Sequence, residues 1–397
     1  MTSPAQLTER PRLTALRAAW LFDGTSGVLK ADPVVLIQAG RIVAVDHGIA
    51  PPADVDVVDL SGATLLPGLV DTHVHLAFDA SNNPVASLAG RDDEEALAGM
   101  KQAARNAALG GVTTLRDLGD RGYLSLQVGD SPDLPTVVAA GPPITTPGGH
   151  CHFLGGVAAP GPAGARAAVR EHVERGVHVI KLMASGGTMT PGTRQDLSQF
   201  TPEDLRAAVD EAHRHGLPVT AHAHGTAAVI DAVDAGVDGL EHVTFWTAEG
   251  VETPTDVIRR LADRRIVIGA TAGFAPVPDA MEPEMAERLP GIVANMLMLL
   301  EAGAPIVAGT DAGIGPAKPH DVARHAVGQM AFLGMDGVRA LQSATSVGAE
   351  VCGLGHRKGR LVPGYDADIL AITGDPLTDA EALHDIRAVF VGGTRIR

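Results

Sequence analysis

Short apolar runs and longer amphipathic stretches alternate through the middle of the chain. Runs of Val, Ile, Leu and Ala with few interruptions occur at 65–76, 112–117, 136–140, 177–183, 218–223, 239–243, 266–270 and 305–310. Stretches with helical spacing of apolar residues lie between them, as at 202–215, 290–302 and 320–332. Short continuous apolar runs predict buried strands, and apolar positions three and four apart predict helices. Strands alternating with helices imply βαβ units and a parallel sheet. Eight such repeats between residues 66 and 357 predict an α/β fold of the (β/α)8 TIM-barrel type, with a doubly wound open sheet as the alternative.

The two ends of the chain read differently. Short strands are expected at 15–22, 34–37, 41–45 and 55–59, punctuated by Gly24, Gly40 and Gly48, and again at 367–372 and 388–391. Neither end has enough residues to bury a sheet alone, so both are expected to pair into one small composite β-sandwich. The domain plan is therefore 1–65 for the N-terminal part of the sandwich, 66–357 for the barrel and 358–397 for the C-terminal part.

Composition narrows the function. With 45% hydrophobic and 20% charged residues, the 397-residue chain has the make-up of a folded soluble protein. Its net charge of −16 argues against nucleic acid as a partner, because phosphate binding needs a basic face. Residues 1–17 carry no apolar signal-like core, and no run reaches the roughly 18 apolar residues of a membrane span. The two cysteines, Cys151 and Cys352, lie far apart, so no disulfide framework is expected and a reducing, cytoplasmic setting fits.

In a barrel, polar residues at the C-terminal ends of strands are candidates for catalysis. His73-Val74-His75 ends the first strand, and alternation puts both imidazoles on one face, a natural start to a metal site. Two incidental polar residues are the bland alternative. Lys181 lies in the apolar run 177–183, where a charged amine is costly to bury. It is either a solvent-facing lysine or one carboxylated by CO2 into a metal-bridging carbamate. His222 and His224 end the fifth strand, His242 the sixth and Asp311 the eighth. Any one of these is compatible with a satisfied core histidine or a helix-capping aspartate. Four strand ends bearing ligand types in one barrel are harder to dismiss.

This pattern resembles the signature of the amidohydrolase superfamily over nearly the whole chain. Pro67-Gly68-Leu69-Val70-Asp71-Thr72-His73-Val74-His75, Gly111-Val112-Thr113-Thr114-Leu115-Arg116-Asp117, Lys181-Leu182-Met183-Ala184-Ser185-Gly186-Gly187 and Ala221-His222-Ala223-His224-Gly225 are similar to the imidazolonepropionase-like group. That group includes prolidase-like Xaa-Pro dipeptidases and ochratoxin-type amidases. The resemblance implies two divalent metal ions, most simply Zn2+, with Mn2+, Fe2+ or Co2+ compatible with the same donors. His73, His75 and Asp311 would hold the more buried ion, and His222 and His242 the more exposed one. A carbamate on Lys181 and a hydroxide would bridge them. Asp311 would then accept the hydroxide proton and pass it to the leaving amine, and His224 would donate to the carbonyl oxygen or serve as a supporting histidine. By the same resemblance His150, in Gly148-Gly149-His150-Cys151-His152, is a substrate contact, and His152 is either a contact or a solvated loop residue. Arg194 is either a partner for a substrate carboxylate or a surface arginine. Nothing in such a site requires Cys151 as a nucleophile.

The expected reaction is hydrolysis of a peptide-like amide in a small molecule such as a dipeptide or N-acyl amino acid. A cyclic amide, lactone, carbamate or ester would yield to the same attack. A mononuclear deaminase fits less well, because no glutamate follows His222 closely and Lys181 would have no role. Imidazolonepropionases proper lack the bridging lysine. A non-enzymatic scaffold relative would be free to lose ligands, yet all six metal positions are filled here. With only 3% aromatic residues, the pocket is expected to be aliphatic and histidine-lined, favouring a compact or aliphatic substrate. Relatives of this kind commonly form oligomers, so a homo-oligomer is expected.

Overall fold

The computed structural model describes residues 12–129, 131–276 and 283–397. Residues 1–11, part of both the expected N-terminal domain and the leader reading, lie outside the described residues. The N-terminal portion forms β1 (Thr14–Leu21), β2 (Lys30–Ala31), β3 (Pro33–Gln38), β4 (Arg41–His47) and β5 (Asp56–Pro67). Eight further strands follow: β6 (Leu69–Val74), β7 (Val112–Asp117), β8 (Thr136–Ala139), β9 (Ile180–Met183), β10 (Val219–Gly225), β11 (Gly239–Trp246), β12 (Val267–Gly269) and β13 (Ile306–Val307). The chain ends with β14 (Ile369–Thr373), β15 (Ile386–Val391) and β16 (Thr394–Arg395).

Both ends of the chain meet in one sheet, ordered β16-β15-β14-β5-β1-β3-β4 with β2 on β1. Leu16, Val35, Leu65, Ile369 and Phe390 share its buried cluster. The apolar run at 65–76, expected as one strand, is divided between two sheets. Residues up to Pro67 pair antiparallel with β14, whereas β6 starts at Leu69 and pairs parallel with β7. The Gly68 N–H donates to Asp368 O at 3.0 Å and the Leu69 N–H to Gly111 O at 2.9 Å, so the chain changes partner there. Glycine is required at the crossing, because a Cβ on Gly68 would overlap the Thr113 side chain.

The strands β6-β7-β8 form one parallel sheet and β9 to β13 another. Isolated bridges touch both pairs of free edges, Ile144 to Leu182 on one side and Val74 to Ala312 on the other. Helices separate the strands in sequence. Thr201 caps the helix Pro202–Arg214 by accepting the Asp204 N–H at 3.2 Å, and Leu205, Ala208, Val209 and Ala212 give it a buried stripe. The helix expected to begin at 290 instead runs Pro283–Glu301, with Pro290 inside it. Proline removes one backbone hydrogen bond there, and its exposed position leaves the freed carbonyl of Ala286 open to water. Among the described residues no helix is long and apolar enough to cross a membrane.

Candidate active site

His73 on β6 and His75 just past its end direct their side chains to the same place. Their Nε2 atoms lie 3.3 Å apart, and Asp311 Oδ1 is 3.4 Å from one and 3.1 Å from the other. Asp311 arrives from the segment after β13, where its N–H donates to His73 O at 2.7 Å. Its backbone is left-handed, with φ of 62°, an uncommon conformation for aspartate that aims the carboxylate at the histidines.

The second group comes from β10 and β11. His222 and His224 share a face of β10. Strict alternation would send Glu241 and His242 to opposite faces of β11, yet both serve the site. The positive φ of 73° at His242 breaks the alternation. The His242 ring stacks on His224 at 4.3 Å and stands 4.7 Å from His222. The ring nitrogens of His222, His224 and His242 form one compact group, and those of His73 and His242 form another with Asp311. His242 therefore lies between the two.

Each of these imidazoles is anchored through one nitrogen. His73 Nδ1–H donates to Glu241 Oε2 at 2.9 Å, His75 Nδ1–H to Gly119 O at 3.2 Å and His222 Nε2–H to Gly186 O at 3.0 Å. Nδ1 of His242 bonds Thr271 Oγ1 at 3.2 Å, and Nδ1 of His224 bonds Thr244 Oγ1 at 2.9 Å. A histidine whose outer nitrogen is engaged this way presents the other as a lone pair, the arrangement of metal-bound imidazoles. Burial lowers the pKa of His73 to about 4 and of His224 to about 3, and those of His222 and His242 fall well below the ordinary value. The rings are thus neutral and able to ligate. Burial opposes charge on His75 as well, but the neighbouring Asp311 carboxylate outweighs it and raises that pKa.

Lys181 is 2% exposed, and its Nζ has no hydrogen-bond partner among the described residues. Burial lowers its pKa to about 8. A buried amine without a partner is expensive. Here it lines the same cavity of about 440 Å³ as His73, His75, His222, His242 and Asp311. Imidazole nitrogens, a carboxylate and an amine open to carboxylation are a donor set that fits divalent metal.

His150 also lines the cavity. Its Nδ1 bonds Thr190 Oγ1 at 3.1 Å, its ring lies 4.9 Å from that of His222, and burial lowers its pKa to about 4. Gly187 makes room for it, because a Cβ there would overlap the imidazole. His152 turns back to its own loop, Nδ1–H donating to Gly149 O at 2.9 Å. Cys151 lines the cavity, but burial pushes its thiol up to about 12, so it carries no thiolate at neutral pH. Arg194 is the departure from the sequence reading. Its side chain is 57% exposed, forms a forked ion pair with Asp196 at 2.6 and 3.0 Å, and does not line the cavity. A carboxylate two residues along the same loop satisfies the guanidinium locally.

Sequence reasoning passed over the groups that hold these side chains in place. Glu241 accepts from His73, from Arg116 Nη2 at 3.0 Å and from Thr220 Oγ1 at 2.7 Å, all buried. His73 and Arg116 hold its carboxyl far below the usual range against the effect of burial. Asp71 receives the Thr310 hydroxyl at 2.6 Å and its N–H at 3.0 Å, positioning the residue before Asp311. Lys318 Nζ donates to Thr271 O and Thr310 O, each at 2.7 Å, and so joins the segments that carry His242's partner and Asp311. An acidic residue inside an apolar strand was the available signal for Asp71 and Glu241.

The amidohydrolase family model matches residues 64–396, and the chain belongs to that family. It is a hydrolase acting on carbon–nitrogen bonds. The chain is 28% identical to ochratoxinase of Aspergillus niger, over 96% of its own length and 85% of the relative's. It is 26% identical to an imidazolonepropionase of Halobacterium salinarum, covering 92% and 91% of the two chains. Among solved structures it resembles a Xaa-Pro dipeptidase with methionine bound in the active site, at 28% identity, a TM-score of 0.84, and 97% and 100% coverage.

Proposed function

We propose that this protein hydrolyses the amide bond of a small peptide-like substrate, such as a dipeptide or an N-acyl amino acid, at a two-metal site inside a (β/α)8 barrel. The barrel would span residues 66–357, and the sheet shared by the chain ends would form a composite domain from 1–65 and 358–397. One observation carries the functional reading. The free nitrogens of His73, His75, His222 and His242 converge with Asp311 and with Lys181 Nζ, which has no partner among the described residues, on a single cavity. His73, His75 and Asp311 would hold one divalent ion, His222 and His242 the other. Lys181 would bridge them after its neutral amine adds to CO2 and releases one proton, forming a carbamate with two donor oxygens. Zn2+ bound in such a set would lower the pKa of water to about 7 and polarise the carbonyl.

The protein's own groups account for the proton movements. Asp311 lies within reach of both His73 and His75, and its carboxylate would take the proton of the attacking water and return it to the leaving nitrogen. His224, with Nδ1 accepting the Thr244 hydroxyl, would keep its proton on Nε2 and donate it to the carbonyl oxygen. His150 reaches the same cavity from the loop after β8 and would contact the substrate. The likeness to a dipeptidase and to ochratoxinase supports a peptide-like bond over a lactone or ester.

Elemental analysis of protein purified without chelator, in bicarbonate, tests the site. About two metals per chain are expected, with most of that content lost in Lys181→Ala. One metal per chain, unchanged by Lys181→Ala, refutes the two-metal reading and directs substrate trials to deaminase and cyclic-amide chemistry.

A further inference from the structure

The cavity has two chemically distinct halves. Its floor carries the histidines, Lys181 and Asp311. Its outer wall is built largely from one face of the helix Pro283–Glu301, where Leu289, Ile292, Val293 and Met296 recur at helical spacing along the cavity. Phe274 and Phe332 complete the wall at the rim, 51% and 85% exposed. Large apolar groups left that open beside a reactive cavity gain about 25 cal/mol per Å² when a ligand covers them. The helix is amphipathic in a telling way. Met296 and Leu299 continue the stripe into the protein core, while the preceding turns face the cavity.

Among the described residues, the side chains of this wall offer no partner to a distal charge. Among the described residues lining the cavity, Lys318 is the one cation besides Lys181 and the imidazoles. Two of its protons are committed to Thr271 O and Thr310 O, and its Nζ sits 3.4 Å over the Phe274 ring. Arg194 points away, engaged with Asp196. A substrate carboxylate or ammonium placed among Leu289, Ile292, Val293 and Phe332 would lose water without gaining a partner.

We infer that the outer wall recognises a large, uncharged hydrocarbon substituent of the substrate, so that the preferred substrates are amides bearing a branched, medium-chain or aromatic apolar group. This deepens the amide-hydrolase reading and rests on it, but the wall can be tested separately from the chemistry. Alkyl hydroxamates serve as probes, because the head group ligates metal and the chain extends outward without being an amide substrate.

Calorimetry on the metal-loaded enzyme with acetohydroxamate, butanohydroxamate and hexanohydroxamate should show Kd falling about fourfold per added methylene, from about 0.8 kcal/mol each. In Ile292→Asn and Val293→Asn the decrement should shrink below about twofold, with circular dichroism and metal content showing that each variant is folded and loaded. The six-carbon hydroxamate ending in a carboxylate should bind at least about tenfold more weakly than hexanohydroxamate. A Kd that does not change with chain length, an equal decrement in the variants, tight binding of the carboxylated probe, or no binding at any length overturns the inference. Hydrolysis of N-hexanoyl amino acids and of dipeptides is followed in parallel. A steep hydroxamate series without hydrolysis of any amide would leave the wall standing and remove the amide-hydrolase reading.

Discussion

Glu241→Gln is the substitution that most directly probes how the site is held. The wild-type carboxylate accepts His73 Nδ1–H through Oε2, and the Arg116 and Thr220 donors through Oε1. Glutamine can keep Oε1 for Arg116 and Thr220, but its NH2 then meets the His73 N–H donor to donor. The imidazole relieves this by moving its proton to Nε2, the atom that faces His75 and Asp311. The lone pair that would bind metal in the proposed site is lost. Removing an outer partner of this kind costs about 10–100-fold in metal affinity, or roughly 1.4–2.7 kcal/mol. Folding stability should fall as well, by about 2–3 kcal/mol, because Arg116 loses a charged acceptor in a buried setting. Competition against a fluorescent chelator measures the first effect and urea unfolding of the metal-free protein the second. Thr220→Val is the control: it removes one bond to Glu241 without touching His73, and should hold metal within about threefold of wild type. Wild-type metal affinity in Glu241→Gln, or an equal loss in Thr220→Val, would refute the tautomer argument.

The buried amine gives a pH signature in protein stripped of metal. Lys181 has a pKa of about 8 folded against 10.5 for the free side chain, so between those values the unfolded chain holds more protons and stability rises with pH. The rise should amount to about 3 kcal/mol and be missing from Lys181→Met, whereas Lys318 contributes equally to both proteins; denaturation curves at pH 7 and pH 10 decide the matter, and parallel curves would sink it. Gly187→Ala should displace the His150 ring and lower kcat/KM at least about tenfold with metal content unchanged, and metal loss instead would mean that the loop supports the ligands. Arg194→Ala should leave kcat/KM within about twofold, since an exposed ion pair contributes little; a large rise in KM would return Arg194 to the substrate.

Local rules reach far in this chain. Alternation along a strand is a property of the backbone alone, so His73 with His75 and His222 with His224 were legible as convergent pairs. The apolar runs located β6 to β13, and the ends of the chain read as short strands. The family signature is a set of strand-end residues, and it too is linear information. What the sequence left open depended on contacts between distant segments. Glu241 matters because the fold brings its carboxylate within 2.9 Å of the His73 ring, and nothing in residues 239–243 names His73 as its partner. His242 reaches the site through a left-handed backbone that periodicity would deny it. The division of the run at 65–76 was settled by competition between β14 and β7 for its hydrogen bonds. Arg194 had a carboxylate two residues away, and which of several partners a flexible guanidinium takes is decided by geometry. The apolar wall was invisible for the same reason: a helical stripe reads as core wherever it lies, and only the packing shows that its first turns border a cavity. Hydrophobic period and strand parity are written along the chain, whereas the pairing of buried charges and the facing of surfaces exist only once the chain has closed on itself.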